Sequence, residues 1–271
     1  MTTQEMTPEA PASIGEEVLF EIVDDHVALV TLNRPEKRNA INGAVAQALE
    51  WAIRRVEADD MIRVAILTSS LEGTFSAGAD LAEISAGRGS TLSTEYGGFA
   101  GFVDAPRTKP WIAAVRGNVL AGGCELTLAC DMIVASEDVR FGLPEVKRGL
   151  LAAAGGVHRL GRVLPRNVAL ELVATGDPMP AARAYSLGLI NRMVPLAEVP
   201  AEARRLAAAI AVNAPVSVRE SLRIARLAQE LTDAELRILS KERSKIVMAT
   251  EDAREGPRAF VEKRAPVWKG R

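Results

Sequence analysis

Val64-Ala65-Ile66-Leu67, inside the stretch Arg63 to Ser69, is a continuous apolar run. A strand wet on one side alternates apolar and polar residues, so an unbroken run predicts a strand covered on both faces. The rest of the pattern agrees with an α/β chain. Val18 to Val23 and His26 to Leu32 are β-rich runs parted by Asp24-Asp25, a hairpin signature. Asn42-Gly43 caps a helix whose Val45, Leu49, Ala52, Ile53 and Val56 recur at helical spacing to Ala58. Strands are predicted at Trp111 to Val115 and Met132 to Ala135, with a glycine turn and helix over 121–130 between them. The order strand, helix, strand thus repeats.

Beyond residue 155 helical patterns dominate: Gly156 to Val163, Asn167 to Thr175 and Ala181 to Leu187, then a short strand at Leu189 to Val194. From Pro200 the chain reads as helix throughout, with Val199, Ala203, Leu206, Ala207 and Ile210 on one face, followed by Val216 to Leu227 and Asp233 to Met248. A boundary is placed near residue 200. The division is a disordered leader over 1–13, a core bearing the active site over 14–199, and a C-terminal helical region over 200–271. Residues 84–104, rich in Gly, Ser and Thr, read as a mobile loop leading into a helix.

With 271 residues, 48% of them hydrophobic, the chain can bury a large core. A net charge of −2, with both signs mixed, leaves no electrostatic footprint for nucleic acid. The longest stretch free of charged residues, Leu206 to Val218, contains Pro215 and falls short of the ~20 apolar residues of a membrane span. Residues 1–13 carry Glu5 and Glu9 and lack the basic start and apolar centre of a signal peptide, so the expected location is cytoplasmic. Cys124 and Cys130 stand in one apolar helical pattern at no zinc-like spacing and read as buried, reduced thiols.

Two small-residue turns carry the chemistry. Ala121-Gly122-Gly123-Cys124-Glu125-Leu126 is a glycine turn entering an apolar helix with a carboxylate in its first turn, and Phe75-Ser76-Ala77-Gly78-Ala79-Asp80-Leu81 is a second such turn after an apolar strand. Glycine lets a ligand approach the backbone, and two turns converging on one oxygen form an oxyanion hole. Asp80, with Glu83 three residues on, reads as a capping box rather than a catalyst. A second carboxylate stands at Glu145, in Phe141-Gly142-Leu143-Pro144-Glu145. Acyl transfer needs a nucleophile and a base. No GxSxG elbow occurs, and His26 and His158 both read as structural. Enolate chemistry needs acids and bases instead. Glu125 and Glu145, with Leu126, Leu143 and Val146 beside them, can hold one water and shuttle protons if burial raises a carboxyl pKa.

At this point the chain resembles the crotonase, or enoyl-CoA hydratase/isomerase, superfamily, from about residue 16 to the end. The resemblance is carried by elements standing in order: Asn33-Arg34-Pro35 with Lys37-Arg38-Asn39-Ala40-Ile41-Asn42; the Phe75 to Leu81 turn; Lys109-Pro110; Gly122 to Leu126; Phe141 to Glu145; Gly155-Gly156; and Ala259-Phe260-Val261-Glu262-Lys263-Arg264. It implies a spiral of ββα turns with a C-terminal helical trimerisation region, trimers or dimers of trimers, and an acyl-coenzyme A thioester as ligand. Coenzyme A is then part of the substrate, and no metal or other cofactor is expected.

Carried over residue by residue, the resemblance puts the thioester oxygen on the N–H groups of Ala79 and Gly122. Glu125 becomes the water activator and Glu145 the proton donor. Lys37, Arg38 and Ala40, together with Ala77, Gly78, Asp80, Leu81 and Gly123, resemble parts of the coenzyme A and acyl site. Phe260 and Lys263 match residues that reach the nucleotide, often from a neighbouring subunit, although Lys263 also reads as a solvated helix residue. The departure is at Ala152-Ala153, where many members have Pro-Gly, which leaves the acyl group open. The implied function is hydration of a 2-enoyl-CoA to a 3-hydroxyacyl-CoA, a step of fatty acid metabolism catalysed by a hydro-lyase. The alternatives are dehydration of a polar thioester such as carnitinyl-CoA, enoyl-CoA isomerisation, and, in a different class, RNA binding. Charge disfavours the last, and the intact turns and glutamates disfavour a degenerate, purely structural subunit.

Overall fold

The computed structural model describes residues 15–271; the expected leader over 1–13 lies outside them. In chain order the elements begin with the hairpin β1 (Val18–Val23) and β2 (Val27–Leu32), then α1 (Gly43–Ala58), β3 (Val64–Ser69), β4 (Thr74–Ser76) and α2 (Leu81–Ser85). A short ribbon follows, β5 (Ser93–Thr94) and β6 (Gly98–Phe99), then β7 (Trp111–Val115), β8 (Asn118–Leu120), α3 (Gly122–Ala129), β9 (Met132–Ser136) and β10 (Arg140–Gly142). Next come α4 (Gly156–Val163), α5 (Arg166–Thr175), β11 (Met179–Pro180), α6 (Ala181–Ser186) and β12 (Arg192–Val194). The chain ends in α7 (Val199–Ala211), α8 (Pro215–Arg226), α9 (Asp233–Met248) and α10 (Asp252–Glu262).

The large sheet runs β1-β2-β3-β7-β9-β12 and is parallel except for the hairpin. The unbroken apolar runs pack on both sides of it, as expected. Ala65 and Leu67 of β3 and Trp111, Ala113 and Val115 of β7 face the main core, which includes the apolar stripe of α1. Val64, Ile66, Ile112 and Ala114 face the opposite layer, where α7 lays down Val199, Ala203, Ala207 and Ala211. The boundary expected near residue 200 therefore falls at the start of a helix that packs on the sheet. Asn42 caps α1 by accepting from the Val45 N–H at 2.9 Å.

A second, smaller sheet, β11-β10-β8-β4, positions the site. Three of its strands, β4, β8 and β10, follow β3, β7 and β9 of the large sheet after short turns and pair in parallel, while β11 adds antiparallel to β10 at the edge. Each turn of chain is thus strand, strand, helix: the ββα spiral. Parallel pairing puts the C-terminal ends of β4, β8 and β10 at one edge. The Ala77–Ala79 turn, the Ala121–Gly123 turn and the Glu145 turn leave from those ends.

Two expectations need correction. Residues 84–104 do not lead into a helix; they form the β5–β6 ribbon and tight turns that bury Leu92, Ala100, Phe102 and Val103, with Phe102 edge-on to Trp111 at 5.1 Å. These buried hydrophobic anchors hold the segment where composition alone suggests a loop. The Asp80/Glu83 capping box does not close either: Asp80 caps α2 through the Ala82 N–H, but Glu83 turns to Arg88 at 2.7 Å. A guanidinium offers a carboxylate two charge-assisted bonds against one from a backbone amide.

Candidate active site

Asn39 and Ser76 brace the first turn. Asn39 sits at φ +53°, a left-handed conformation that Asn tolerates, and is 1% exposed. Its side-chain amide donates to Ser69 Oγ at 2.7 Å and to the Phe75 carbonyl at 3.0 Å, and its Oδ1 accepts the Arg34 N–H at 2.7 Å. Ser76 Oγ donates to the Asn39 carbonyl at 2.7 Å and accepts the Gly78 N–H at 3.1 Å. A parallel bridge to Ile41 uses the Gly78 carbonyl and the Asp80 N–H, at 2.8 and 2.9 Å. It engages the groups on either side of Ala79. Among the described residues the Ala79 N–H has no acceptor.

The second turn is strained toward the same place. Ala121 takes φ +51°, ψ −131°, a conformation that costs an L-residue on the order of 1–3 kcal/mol. As the residue before α3, it leaves the Gly122 N–H at the positive end of that helix, without an acceptor among the described residues. The turns touch. A Cβ on Gly78, at φ +87°, would lie 2.6 Å from Gly122 N, and one on Gly122 would lie 2.6 Å from the Phe99 ring. The turns that carry these two N–H groups therefore meet where a side chain at either glycine is excluded, an arrangement able to hold one anionic oxygen.

Glu125 follows in the first turn of α3, 4% exposed, and its Oε1 accepts the Gly156 N–H at 2.9 Å. Its pKa is raised to about 7, by burial above all and by the Glu145 charge, with the Gly156 and Ala154 amides and Arg159 pulling the other way. Burial also raises Glu145, against its own amide and Arg148. Glu145 Oε2 is buried and unpartnered among the described residues. Both carboxylates, with Ala79 and Gly122, line one cavity of about 820 Å³.

Lys37, Arg38, Ala77 and Leu81 also line that cavity. Other expected wall residues do not. Gly78 and Gly123 are buried behind the wall, where a Cβ on Gly123 would meet the Ser76 carbonyl at 2.5 Å. The Ala40 carbonyl accepts from Arg34 Nη1 at 2.7 Å, and the same nitrogen holds Asp80 at 3.1 Å, so Asp80 is a cap and ion-pair partner rather than a ligand group. Val146, expected beside the glutamates, is exposed next to Gly176 and does not line the cavity. Phe260, 84% exposed, and Lys263 lie outside the cavity of their own chain. His26 Nδ1 bonds the Met61 carbonyl at 2.7 Å and His158 is exposed; neither lines the site. Asp104, Arg148 and Arg159 belong to the surroundings of the site without a signal of their own in the sequence; Phe99 lies there too, in the stretch read as a pocket-lining loop. Only Asn39, in a stretch rich in residues that tolerate turns, carried a local signal.

The enoyl-CoA hydratase/isomerase family profile matches residues 23–271, and the chain belongs to that family. Within it the chain is an enzyme of the hydratase and dehydratase kind, a hydro-lyase. The carnitinyl-CoA dehydratase of Salmonella typhi is 41% identical over 247 residues, covering 89% of this chain and 94% of that one. Among solved structures, an enoyl-CoA hydratase from Mycobacterium tuberculosis H37Rv superposes with TM-score 0.88 at 41% identity, over 94% of this chain and all of that one. A carnitinyl-CoA hydratase from Mycobacterium avium gives 0.74 at 45% identity, over 94% and 99%. Among the described residues, no helix is long and apolar enough to cross a membrane.

Proposed function

We propose that this chain adds water across the 2,3 double bond of a 2-enoyl-CoA, reversibly, to give a 3-hydroxyacyl-CoA. The observation that carries the proposal is the meeting of two raised-pKa carboxylates and two free N–H groups on one cavity. The thioester oxygen is held by the Ala79 and Gly122 N–H groups, which stabilise the enolate. Glu125, whose ionised form the Gly156 N–H supports, takes a proton from the water as its oxygen bonds C3. Glu145 gives its proton to C2 and recovers one from Glu125 through solvent, so the net change is addition of one water. Its unpartnered Oε2 suits a carboxyl that carries a proton. Lys37 and Arg38 meet the phosphates of the nucleotide in this reading, which their position in the cavity lining supports. Trimers or dimers of trimers, with α10 at the subunit boundary and Lys263 reaching a neighbour's nucleotide, complete the reading. The exposed Phe260 and Val261 support it, and the mass in solution tests it.

Crotonyl-CoA and a 3-enoyl-CoA, followed by absorbance and product analysis, test the reaction. Hydration of the first at a rate well above isomerisation of the second is expected, and the reverse ranking would replace hydratase by isomerase.

A second reading, dehydration of a thioester with a cationic acyl end, is favoured by Asp104. Its carboxylate lines the cavity beside Phe99 and is 67% exposed, while Arg159 approaches it from outside the lining at 3.6 Å. A carboxylate and an aromatic ring together suit a quaternary ammonium. The likeness to a carnitinyl-CoA dehydratase points the same way. A 4-trimethylammonio thioester used better than crotonyl-CoA, with the preference lost in Asp104→Asn, would select this substrate.

A further inference from the structure

Arg159 takes no part in the chemistry above, yet its guanidinium joins two walls of the cavity. On α4 it reaches back over the helix start, where Nη1 donates to the Ala154 carbonyl at 3.0 Å. Nη2 crosses to the segment after the β5–β6 ribbon, donating to the Val103 carbonyl at 2.7 Å and standing 3.6 Å from Asp104 Oδ1. The Ala154–Gly156 turn is the one that holds Glu125, and the Val103 segment follows Phe99, which lies on Gly122. Gly155 makes the reach possible. At φ +104° it has no side chain, and a Cβ there would stand 2.0 Å from Nη1.

We propose that Arg159 is a positioning residue: its planar fork pins the Ala154–Gly156 turn to the opposite wall and so holds the Glu125 carboxylate on the water it activates. The inference rests on the hydration reading above. A lysine offers a point charge without the fork and cannot pin two carbonyls in the same plane. The charged groups facing Glu125 are Glu145, from the turn after β10, and Arg159, from α4; the adjacent Cys124 thiol is pushed up by burial and stays neutral. Arg159 favours the ionised form of Glu125, with Asp104 offsetting part of its charge. Its removal must raise the Glu125 pKa.

Arg159→Met, Arg159→Lys and the parent are compared for crotonyl-CoA hydration across pH 5 to 9. Misplacing a reacting group by about 1 Å costs on the order of 10²-fold. The methionine variant should lose ~10- to 100-fold in kcat with KM changed less than about threefold, and its acid limb should move to higher pH. The lysine variant should keep the parental limb while recovering only part of kcat. In parallel, the Glu125 carboxyl is titrated by carbon-13 NMR of glutamate-labelled protein, with Glu125→Gln assigning the signal. This readout needs no turnover. If the parent hydrates nothing, the hydration reading fails, while an upward Glu125 shift in Arg159→Met still upholds the coupling. A folded Arg159→Met with parental kcat, acid limb and Glu125 titration, lower only in melting temperature, overturns the positioning role.

Discussion

Gly78→Ala places one methyl group between the two turns. In the present backbone its carbon would stand 2.6 Å from Gly122 N and 2.7 Å from Ala121 Cβ, whereas ordinary contact begins near 3.4 Å. The turns must therefore part by roughly 0.8 Å. An oxyanion donor works at about 2.7–3.1 Å, so a shift of that size takes one N–H out of useful range. Loss of one donor costs about 10² to 10³ in kcat, or ~2.7–4 kcal/mol of transition-state stabilisation. The left-handed φ of +87° adds on the order of 1–2 kcal/mol of strain. A domain with ~5–15 kcal/mol of stability survives that, so the protein should still fold. The assay is kcat and KM for crotonyl-CoA hydration, followed by loss of enoyl-thioester absorbance, with the melting temperature recorded on the same sample. Since the carbonyl gains charge mainly in the transition state, kcat should fall far more than KM rises. A folded Gly78→Ala within about threefold of the parental kcat would refute the two-turn oxyanion site.

Glu125→Gln and Glu145→Gln should each lower hydration ~10²- to 10⁴-fold, and the double variant should be little worse than the poorer single, which steady-state kinetics will decide. As a base, Glu125 works ionised, so the parental kcat should fall as pH drops below about 7. For stability the sign is opposite: a carboxyl whose folded pKa is raised from 4.5 to about 7 carries a cost that grows as pH rises through that window. Glu125→Gln should therefore melt higher than the parent at pH 8, by up to ~3 kcal/mol at 1.36 kcal/mol per pKa unit, and the advantage should vanish below pH 4.5. Asn39→Ala strips the bonds to Ser69 and Phe75 and should cost roughly 1–3 kcal/mol in urea unfolding along with a loss of kcat. Gly161→Ala, on an exposed stretch of α4 with nothing within 4 Å of the new methyl, should add about 0.5–1 kcal/mol by thermal melting and leave kcat alone.

Elements that bury an apolar stripe were legible in the chain itself. The helical spacing of Val45 to Val56 and of Val199, Ala203 and Ala207 announces one buried face, and the unbroken run Val64 to Leu67 announces two, because burial of side chains writes its pattern directly into the sequence. The turns and both glutamates were legible too: glycine and carboxylate are residue types that their chemistry demands. The small sheet was not. β4, β8 and β10 are three residues each, too short to show a period, and they exist because pairing with one another satisfies their backbone groups. That pairing, and no property of any one turn, sets Ala79, Gly122 and Glu145 around one cavity. The pKa of Glu125 near 7 and the Arg159 bridge from Ala154 to Val103 are likewise set by neighbours distant in sequence. Desolvation and a carbonyl to receive a guanidinium are properties of a place, and places are made only when the chain has folded.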